Sequence, residues 1–273
     1  MPELPEVESV RQGLDQTIIG KTIQAIEVRW PKIIQSKSID EFKMKLVNQT
    51  IQQIKRRGKF LLIYLDKDVL ISHLRMEGKY FLKSKEERLD KHTHVIFRFN
   101  DQMELRYNDV RKFGRMQLVP IGEEYQTKSI IKLGPEPIEG QLFTNDMKQF
   151  LMNKTKAIKT ILLDQTLVAG IGNIYADEIL FDAGIHPTRP GKTLSTFEIE
   201  VLRQSIINIM QEAIKYGGST IRTYHNMLGE DGTYQDYHKV YGKKNESCSR
   251  CKTMIEKIQL NGRGTHYCPH CQK

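Results

Sequence analysis

The chain begins Met1-Pro2-Glu3-Leu4-Pro5-Glu6-Val7. Removal of the initiator methionine from in front of a small residue would make Pro2 the N-terminus, a secondary amine with the acids Glu3 and Glu6 beside it. An α-amino group titrates near neutrality in model peptides, far below a lysine, so a useful fraction is unprotonated at cellular pH. Attack by such an amine on an aldehyde-level carbon gives an iminium, a fixed cation that draws electrons from the neighbouring carbon and eases elimination there. The same residues also spell the opening of a helix, with Pro5 in its first turn and Glu6 and Glu8 at the positive end of its dipole. A retained Met1 would convert the amine into an amide and remove its nucleophilicity.

A second group of reactive side chains sits at the other end. All four cysteines fall in two pairs, Cys248-x2-Cys251 and Cys268-x2-Cys271, the two-knuckle spacing of a four-cysteine zinc site. The alternative is a redox pair, but no βαβ pattern surrounds either CxxC. With sulfur at all four positions one zinc ion would have no open site, so the expected role is structural. His266 and His270 flank the ligands as bystanders.

These groups must be held by folded elements. Val7, Val10 and Leu14 recur at helical spacing from Pro5 to about Ile18, with Gly20 as the stop. From Lys21 to about Val119 the pattern changes to short β-type runs: Thr22–Trp30, Thr50–Ile54, Phe60–Leu65, Val69–Leu74, Val95–Phe99 and Met103–Tyr107. Turn residues separate them at Asp66-Lys67-Asp68 and Asn100-Asp101. Hairpins without intervening helices argue for an antiparallel sandwich or barrel. After a linker at Leu133–Pro137, helices are expected at Asn145–Leu151, Thr155–Leu163, Asn173–Asp182 and Thr196–Lys215. The break Gly170-Ile171-Gly172-Asn173 suits a helix-turn-helix better than a dinucleotide fingerprint, because no strand precedes it. Asn173 would cap the following helix, whose free N–H groups can receive a phosphate. Gly217–Tyr237, Gly-rich and aperiodic, reads as a mobile loop near a site.

Lysine and arginine total 42 against 33 aspartate and glutamate, a net charge of +9 in 273 residues. That balance favours a polyanionic partner, nucleic acid ahead of a membrane surface. The longest apolar runs, such as Phe60–Leu65, are far too short to span a bilayer. The N-terminus lacks the basic start and apolar stretch of a signal peptide, so a cytoplasmic protein is expected.

Taken together, the Met-Pro-Glu-Leu-Pro-Glu-Val start, Gly58-Lys59, the Gly-Ile-Gly-Asn-Ile-Tyr turn at 170–175 and the tail Gly262-Arg263-Gly264-Thr265-His266-Tyr267-Cys268-Pro269 resemble the bacterial formamidopyrimidine-DNA glycosylase family, in order and over essentially the whole chain. The resemblance implies an α+β multidomain protein. Its expected parts are an N-terminal antiparallel β-sandwich with its helix (1–133), a helix-two-turns-helix domain with a lesion-capping loop (134–237) and a four-cysteine zinc hairpin (238–273), with DNA in the cleft between them. It implies a monomeric base-excision repair glycosylase and AP lyase acting on duplex DNA that carries oxidised purines or abasic sites, cytoplasmic and associated with the nucleoid when bound to DNA.

On that resemblance Pro2 is the nucleophile, Glu3 moves protons near the sugar, Glu6 positions the N-terminal segment, and Lys59 and Arg263 act on phosphates. Lys59 falls on an expected strand, alternating with Leu61 and Ile63; read alone it could equally be an edge-strand lysine that deters aggregation. Arg263 sits in an expected hairpin turn, where a guanidinium can grip phosphate bidentately or simply face solvent. His73, Asn173 and Tyr241 are expected phosphate contacts, and His92, Lys154 and Lys156 further DNA contacts, the lysines at a basic helix start. Met76, Arg111 and Phe113 match wedge residues that fill the gap left by an extruded nucleotide, with Arg111 facing the orphaned base. Taken singly, Met76 reads as a gap filler and Phe113 as core. A non-enzymatic damaged-DNA binder and an endonuclease VIII-like pyrimidine glycosylase are the competing readings; the Pro-Glu-Leu start argues against the second.

Overall fold

The computed structural model describes residues 2–36, 38–219 and 232–273. The chain forms two compact units, one ending at Ile131 and the other comprising Lys132–Ser219 and Thr233–Lys273. Among the described residues no helix is long and apolar enough to cross a membrane.

The first unit opens with α1 (Leu4–Ile18), where Glu3 is the N-cap and Pro5 lies in the first turn. Strands β1 (Ile23–Val28), β2 (Gln53–Arg57), β3 (Phe60–Tyr64), β4 (Asp68–His73), β5 (Lys79–Ser84), β6 (Thr93–Phe99), β7 (Met103–Asn108) and β8 (Arg115–Pro120) follow, with the short helix α2 (Ile39–Leu46) after β1. They build two antiparallel four-stranded sheets, in the orders β1-β6-β7-β5 and β2-β3-β4-β8. Val7, Val10 and Leu14 of α1 pack with Phe42 and Leu46 of α2, with Leu61 and Ile63 of one sheet, and with Phe97 and Leu105 of the other in one core. Side chains alternate along each strand, so Leu61 and Ile63 of β3 face this core while Leu62 between them is buried outside it.

The sheets exchange the chain at one end. β4 stops at His73, opposite Arg115 at the start of β8, while β5 starts at Lys79, opposite Asn108 at the end of β7. Pairing in both sheets therefore lays the 74–78 and 109–114 crossovers side by side. His92 precedes Thr93, which also pairs with Asn108, and Phe60 after the β2–β3 turn pairs with His73.

The second unit contains α3 (Thr144–Leu151), α4 (Ile158–Leu163), α5 (Asn173–Asp182), α6 (Thr196–Lys215) and the hairpin of β9 (Glu256–Leu260) and β10 (Arg263–Tyr267). Every residue of α5 from Ile174 to Phe181 is buried, the carboxylates Asp177 and Glu178 included, so this helix lies at the centre of the unit. α6 starts with a reciprocal cap, Ser195 N–H donating to Glu198 Oε2 at 2.8 Å and Glu198 N–H to Ser195 Oγ at 3.2 Å.

Several expectations change. Lys59 is not on a strand: Gly58 and Lys59 form the two-residue turn between β2 and β3, with Arg57 opposite Phe60 and Gly58 at φ 55. A turn with a left-handed first residue matches the right-handed twist of its strands, and glycine meets that demand without strain. Asn173 is the first residue of α5, and the cap is Gly172. α4 begins at Ile158, so Lys154 and Lys156 lie in the exposed connection before it instead of on its first turn. Of the expected loop at 217–237, residues 220–231 lie outside the described residues, and Tyr234–Tyr237 form a short 3₁₀ turn with Tyr234 buried.

Candidate functional site

Pro2 is buried, and Glu3 and Glu6 are each only 3% exposed. The Glu3 N–H donates to Glu6 Oε2 at 2.7 Å and the Glu3 side chain caps the Glu6 N–H in return, a reciprocal capping box. The helix-opening reading of this segment is met, and the box holds both carboxylates fixed in the first turn after Pro2. One turn further on, Glu8 Oε2 pairs with Arg56 Nε at 2.9 Å, and Arg56 Nη1 donates to Gly58 O at 3.0 Å. That chain of contacts ties the start of α1 to the turn carrying Lys59, which is itself 6% exposed.

His73 faces the same turn. Its ring meets Phe60 edge-on at 4.5 Å, and its Nδ1 accepts the Arg75 N–H at 2.9 Å. Burial first, then the positive charges of Arg75 and Lys59, push the imidazole down to about 3. The ring is therefore neutral at physiological pH, and with Nδ1 accepting, its proton sits on Nε2, ready to donate.

The two crossovers are built for exposure at their tips and rigidity at their bases. Asp109, 1% exposed, accepts N–H bonds from Arg111 at 3.0 Å, Phe113 at 2.8 Å and Gly114 at 2.7 Å. Phe113, read from its type as core, is instead 46% exposed, with the Arg111 guanidinium 4.8 Å above its ring. Met76 lies in the turn of the neighbouring crossover. A Cβ at Gly78 or at Gly114 would overlap the Tyr107 hydroxyl, so Tyr107 packs between the bases of both loops. That buried hydroxyl has no hydrogen-bond partner among the described residues. His92, partly buried, closes the group through its carbonyl, which accepts the Asp109 N–H at 3.0 Å. The first unit thus gathers Lys59, His73, Met76, His92, Arg111 and Phe113 at one end of the sandwich.

In the second unit the tight Asn261-Gly262 turn, φ 47 and 75, sets Arg263 exposed at the start of β10. Gly264 O accepts from Asn173 Nδ2 at 3.0 Å and from Lys159 Nζ at 3.0 Å, which docks the hairpin against the N-terminus of α5. Asn173 Oδ1 is buried without a partner among the described residues. Lys159, 1% exposed, also pairs with Asp177 Oδ1 at 2.7 Å, and Asp177 Oδ2 accepts the His266 N–H at 2.9 Å. Sequence reasoning missed this buried cluster; the signal available was a lysine and an aspartate inside otherwise apolar helices. Glu178 accepts the N–H groups of Lys239, Val240 and Tyr241 at 2.7, 3.0 and 2.7 Å, placing Tyr241 edge-on against His266.

The four cysteine sulfurs all lie within 4.8 Å of one another. Cys251 to Cys268 is 3.4 Å and Cys248 to Cys271 is 3.9 Å, against about 3.8 Å for the edge of a tetrahedron with zinc–sulfur bonds of 2.3 Å. Hydrogen bonding from Thr253 brings the Cys251 thiol down to about 6. The donor set fits one zinc ion, and Phe181 of α5 packs against the cluster with Val240 and Ile255. His266, turned to Asp177, takes no part.

Comparison with known proteins agrees along the whole chain. Residues 1–116 match the formamidopyrimidine-DNA glycosylase N-terminal domain, 133–225 its H2TH domain, and 245–273 the zinc finger found in FPG and IleRS. Formamidopyrimidine-DNA glycosylase of Enterococcus faecalis is 52% identical over 100% of this chain and 98% of its own, and that of Bacillus subtilis 53% over 100% and 99%. The Lactococcus lactis Fpg solved with DNA containing an abasic site superposes with a TM-score of 0.94 at 46% identity, covering 99% of each chain. The wild-type L. lactis protein solved with DNA containing N7-benzyl-Fapy-dG gives 0.94 at 45% identity over 100% of both.

Proposed function

The chain belongs to the formamidopyrimidine-DNA glycosylase family, and from that premise we propose how its own residues carry the family's chemistry. It is a base-excision repair enzyme, a glycosylase and AP lyase that removes oxidised purines from duplex DNA and cleaves the strand. Its four cysteines hold one structural zinc ion.

Pro2, freed of Met1, attacks C1′ of the damaged nucleotide as the C1′–base bond breaks and the base leaves with the electron pair; the nitrogen then loses its proton and its lone pair expels O4′, opening the sugar ring to the iminium. Glu3 gives a proton to the opening sugar and takes one back as the reaction proceeds, while Glu6 holds Glu3 through its backbone N–H. Loss of a proton from C2′ expels the 3′ phosphate, and a second elimination expels the 5′ phosphate. Lys59 and Arg263 neutralise the charge developing on these leaving groups. His73, as a neutral donor, with Asn173 and Tyr241 grip the backbone. His92, Lys154 and Lys156 extend that contact. Met76, Arg111 and Phe113 fill the stack, with Arg111 donating to the orphaned base. The division at 1–133, 134–237 and 238–273 puts the nucleophile, its acids and the wedge in the first domain, backbone contacts in the first two and in Tyr241 of the third, and the leaving-group arginine in the third. The enzyme works as a monomer in the cytoplasm, on the nucleoid.

The observation that carries this reading is a buried Pro2 followed at once by two buried acids, Glu3 and Glu6, locked together by the capping box. It is tested with a duplex bearing 8-oxoguanine opposite cytosine, scoring free base and both elimination products. The native chain releases the base and leaves phosphate at both ends of the gap. A chain with one residue interposed ahead of Pro2 binds the duplex but produces neither; full activity from that variant would refute the assignment.

A further inference from the structure

Trp30 is the only tryptophan of the chain. It follows β1, packs against the core between the two sheets, and buries its Nε1 without an acceptor among the described residues. The ammonium of Lys112 stands 4.2 Å from the indole centroid, and that of Lys32 5.7 Å. An ammonium over an indole face is attracted by the ring quadrupole, more strongly than over tyrosine or phenylalanine.

Lys112 is the residue between Arg111 and Phe113, and its φ of 59 puts it in the left-handed region. Such a backbone turn at a lysine is strained, and a strained residue persists where its surroundings hold it. Asp109 secures the N–H groups on either side of it, and Asp109 O accepts the Lys112 N–H at 3.2 Å. The loop thus has one residue with its side chain over the core-anchored indole and two neighbours stacked on each other at the surface.

We propose that Trp30 is a positioning residue for Arg111 and Phe113: by docking Lys112 on its ring it sets the angle at which that pair is offered to the duplex. The inference rests on the reading above, that Arg111 meets the orphaned base. It assigns Trp30 a part in opposite-base selectivity without contact to DNA.

The test uses the full zinc-loaded chain and four variants, Trp30→Leu, Trp30→Phe, Lys112→Met and Arg111→Ala. Each is assayed for single-turnover excision of 8-oxoguanine opposite cytosine and opposite adenine, for cleavage of an abasic site in single-stranded DNA, and for Tm. Arg111→Ala should abolish the cytosine preference. Trp30→Leu and Lys112→Met should reduce it about five- to ten-fold while single-strand cleavage stays within about two-fold. Trp30→Phe, which keeps a π face, should restore most of it, and tryptophan emission should shift in Lys112→Met without DNA. An unchanged preference in Trp30→Leu beside a lost one in Arg111→Ala would overturn the proposal alone. Equal losses on every substrate with a lowered Tm would reduce Trp30 to core packing and overturn it as well. An unchanged preference in Arg111→Ala would remove the reading of the loop and the proposal with it.

Discussion

Two residues of the proposed site depend on what they are not: Pro2, the proposed nucleophile, must not be acylated, and His73, the proposed neutral donor to the DNA backbone, must not be charged. Burial of His73, aided by Arg75 and Lys59, holds its folded pKa near 3, below its ordinary 6.5. The unfolded chain therefore takes up the proton first as pH falls. The stability this ring contributes is complete above about 6.5 and is lost progressively as pH drops toward 3. His238, brought down to about 4 by burial, works in the same sense. Thermal unfolding between pH 8 and pH 4 should show a flat Tm to about 6.5 and a decline below it. The His73 ring resonances should not titrate above pH 5, and a midpoint near 6.5 for that ring would contradict its neutral-donor role. At this scale the sequence was informative. The cysteines were legible from type and spacing and Pro2 was proposed from its place behind the initiator, while the proposed parts of Glu3 and Glu6 came from the family resemblance; the Lys159–Asp177 pair was not legible, because a buried ion pair leaves no periodic trace.

The next scale is the pair of crossovers and what fixes them. Gly78 and Gly114 abut Tyr107 Oη, so Gly114→Ala should cost about 1–3 kcal/mol through overpacking, read as a lowered Tm. Tyr107→Phe removes an unpartnered buried hydroxyl and should be neutral or stabilising. Combined with Gly114→Ala it should recover part of the loss, a coupling that a double-mutant cycle measures directly. Equal and additive losses would show that the hydroxyl is not the obstacle. These crossovers were only partly visible beforehand. Residues 79–84 and 115–120 escaped notice as β5 and β8: Lys-Tyr-Phe-Leu-Lys-Ser and Arg-Met-Gln-Leu-Val-Pro are short and bounded by charge or proline, which blurs a period of two. Helix α2 escaped because eight residues offer only Phe42 and Leu46 to the core. Lys59 was misplaced because the apolar run of β3 begins directly after it, and a two-residue turn leaves no polar gap to mark it.

For the whole molecule, charge and metal make the strongest demands. A net charge of +9 facing a polyanion predicts an affinity for undamaged duplex that falls steeply with salt, log K declining linearly with log salt with a slope set by the phosphates neutralised. Titrations at several salt concentrations measure that slope, and a flat response would exclude backbone-dominated binding. Chelation of zinc should lower the Tm and weaken DNA binding together, because the thiolates pack on Phe181 of the central α5 and the same hairpin carries Arg263. Elimination of both phosphates at an abasic site that survives complete zinc removal would contradict the placement of Arg263. At this scale the α+β order, the basic balance and the metal site were readable in advance, since they rest on composition and spacing. The exchange of the chain between sheets was not, since it depends on pairings far apart in sequence.

The central claim is that the N-terminal amine of Pro2 forms the covalent bond to the sugar. Incubation with a duplex containing 8-oxoguanine opposite cytosine, reduction with borohydride and peptide mass mapping tests it most directly. The account predicts one stable adduct, on the peptide beginning at Pro2 and on its nitrogen. An adduct on a lysine, or none from a correctly processed chain that binds the duplex tightly, would contradict it.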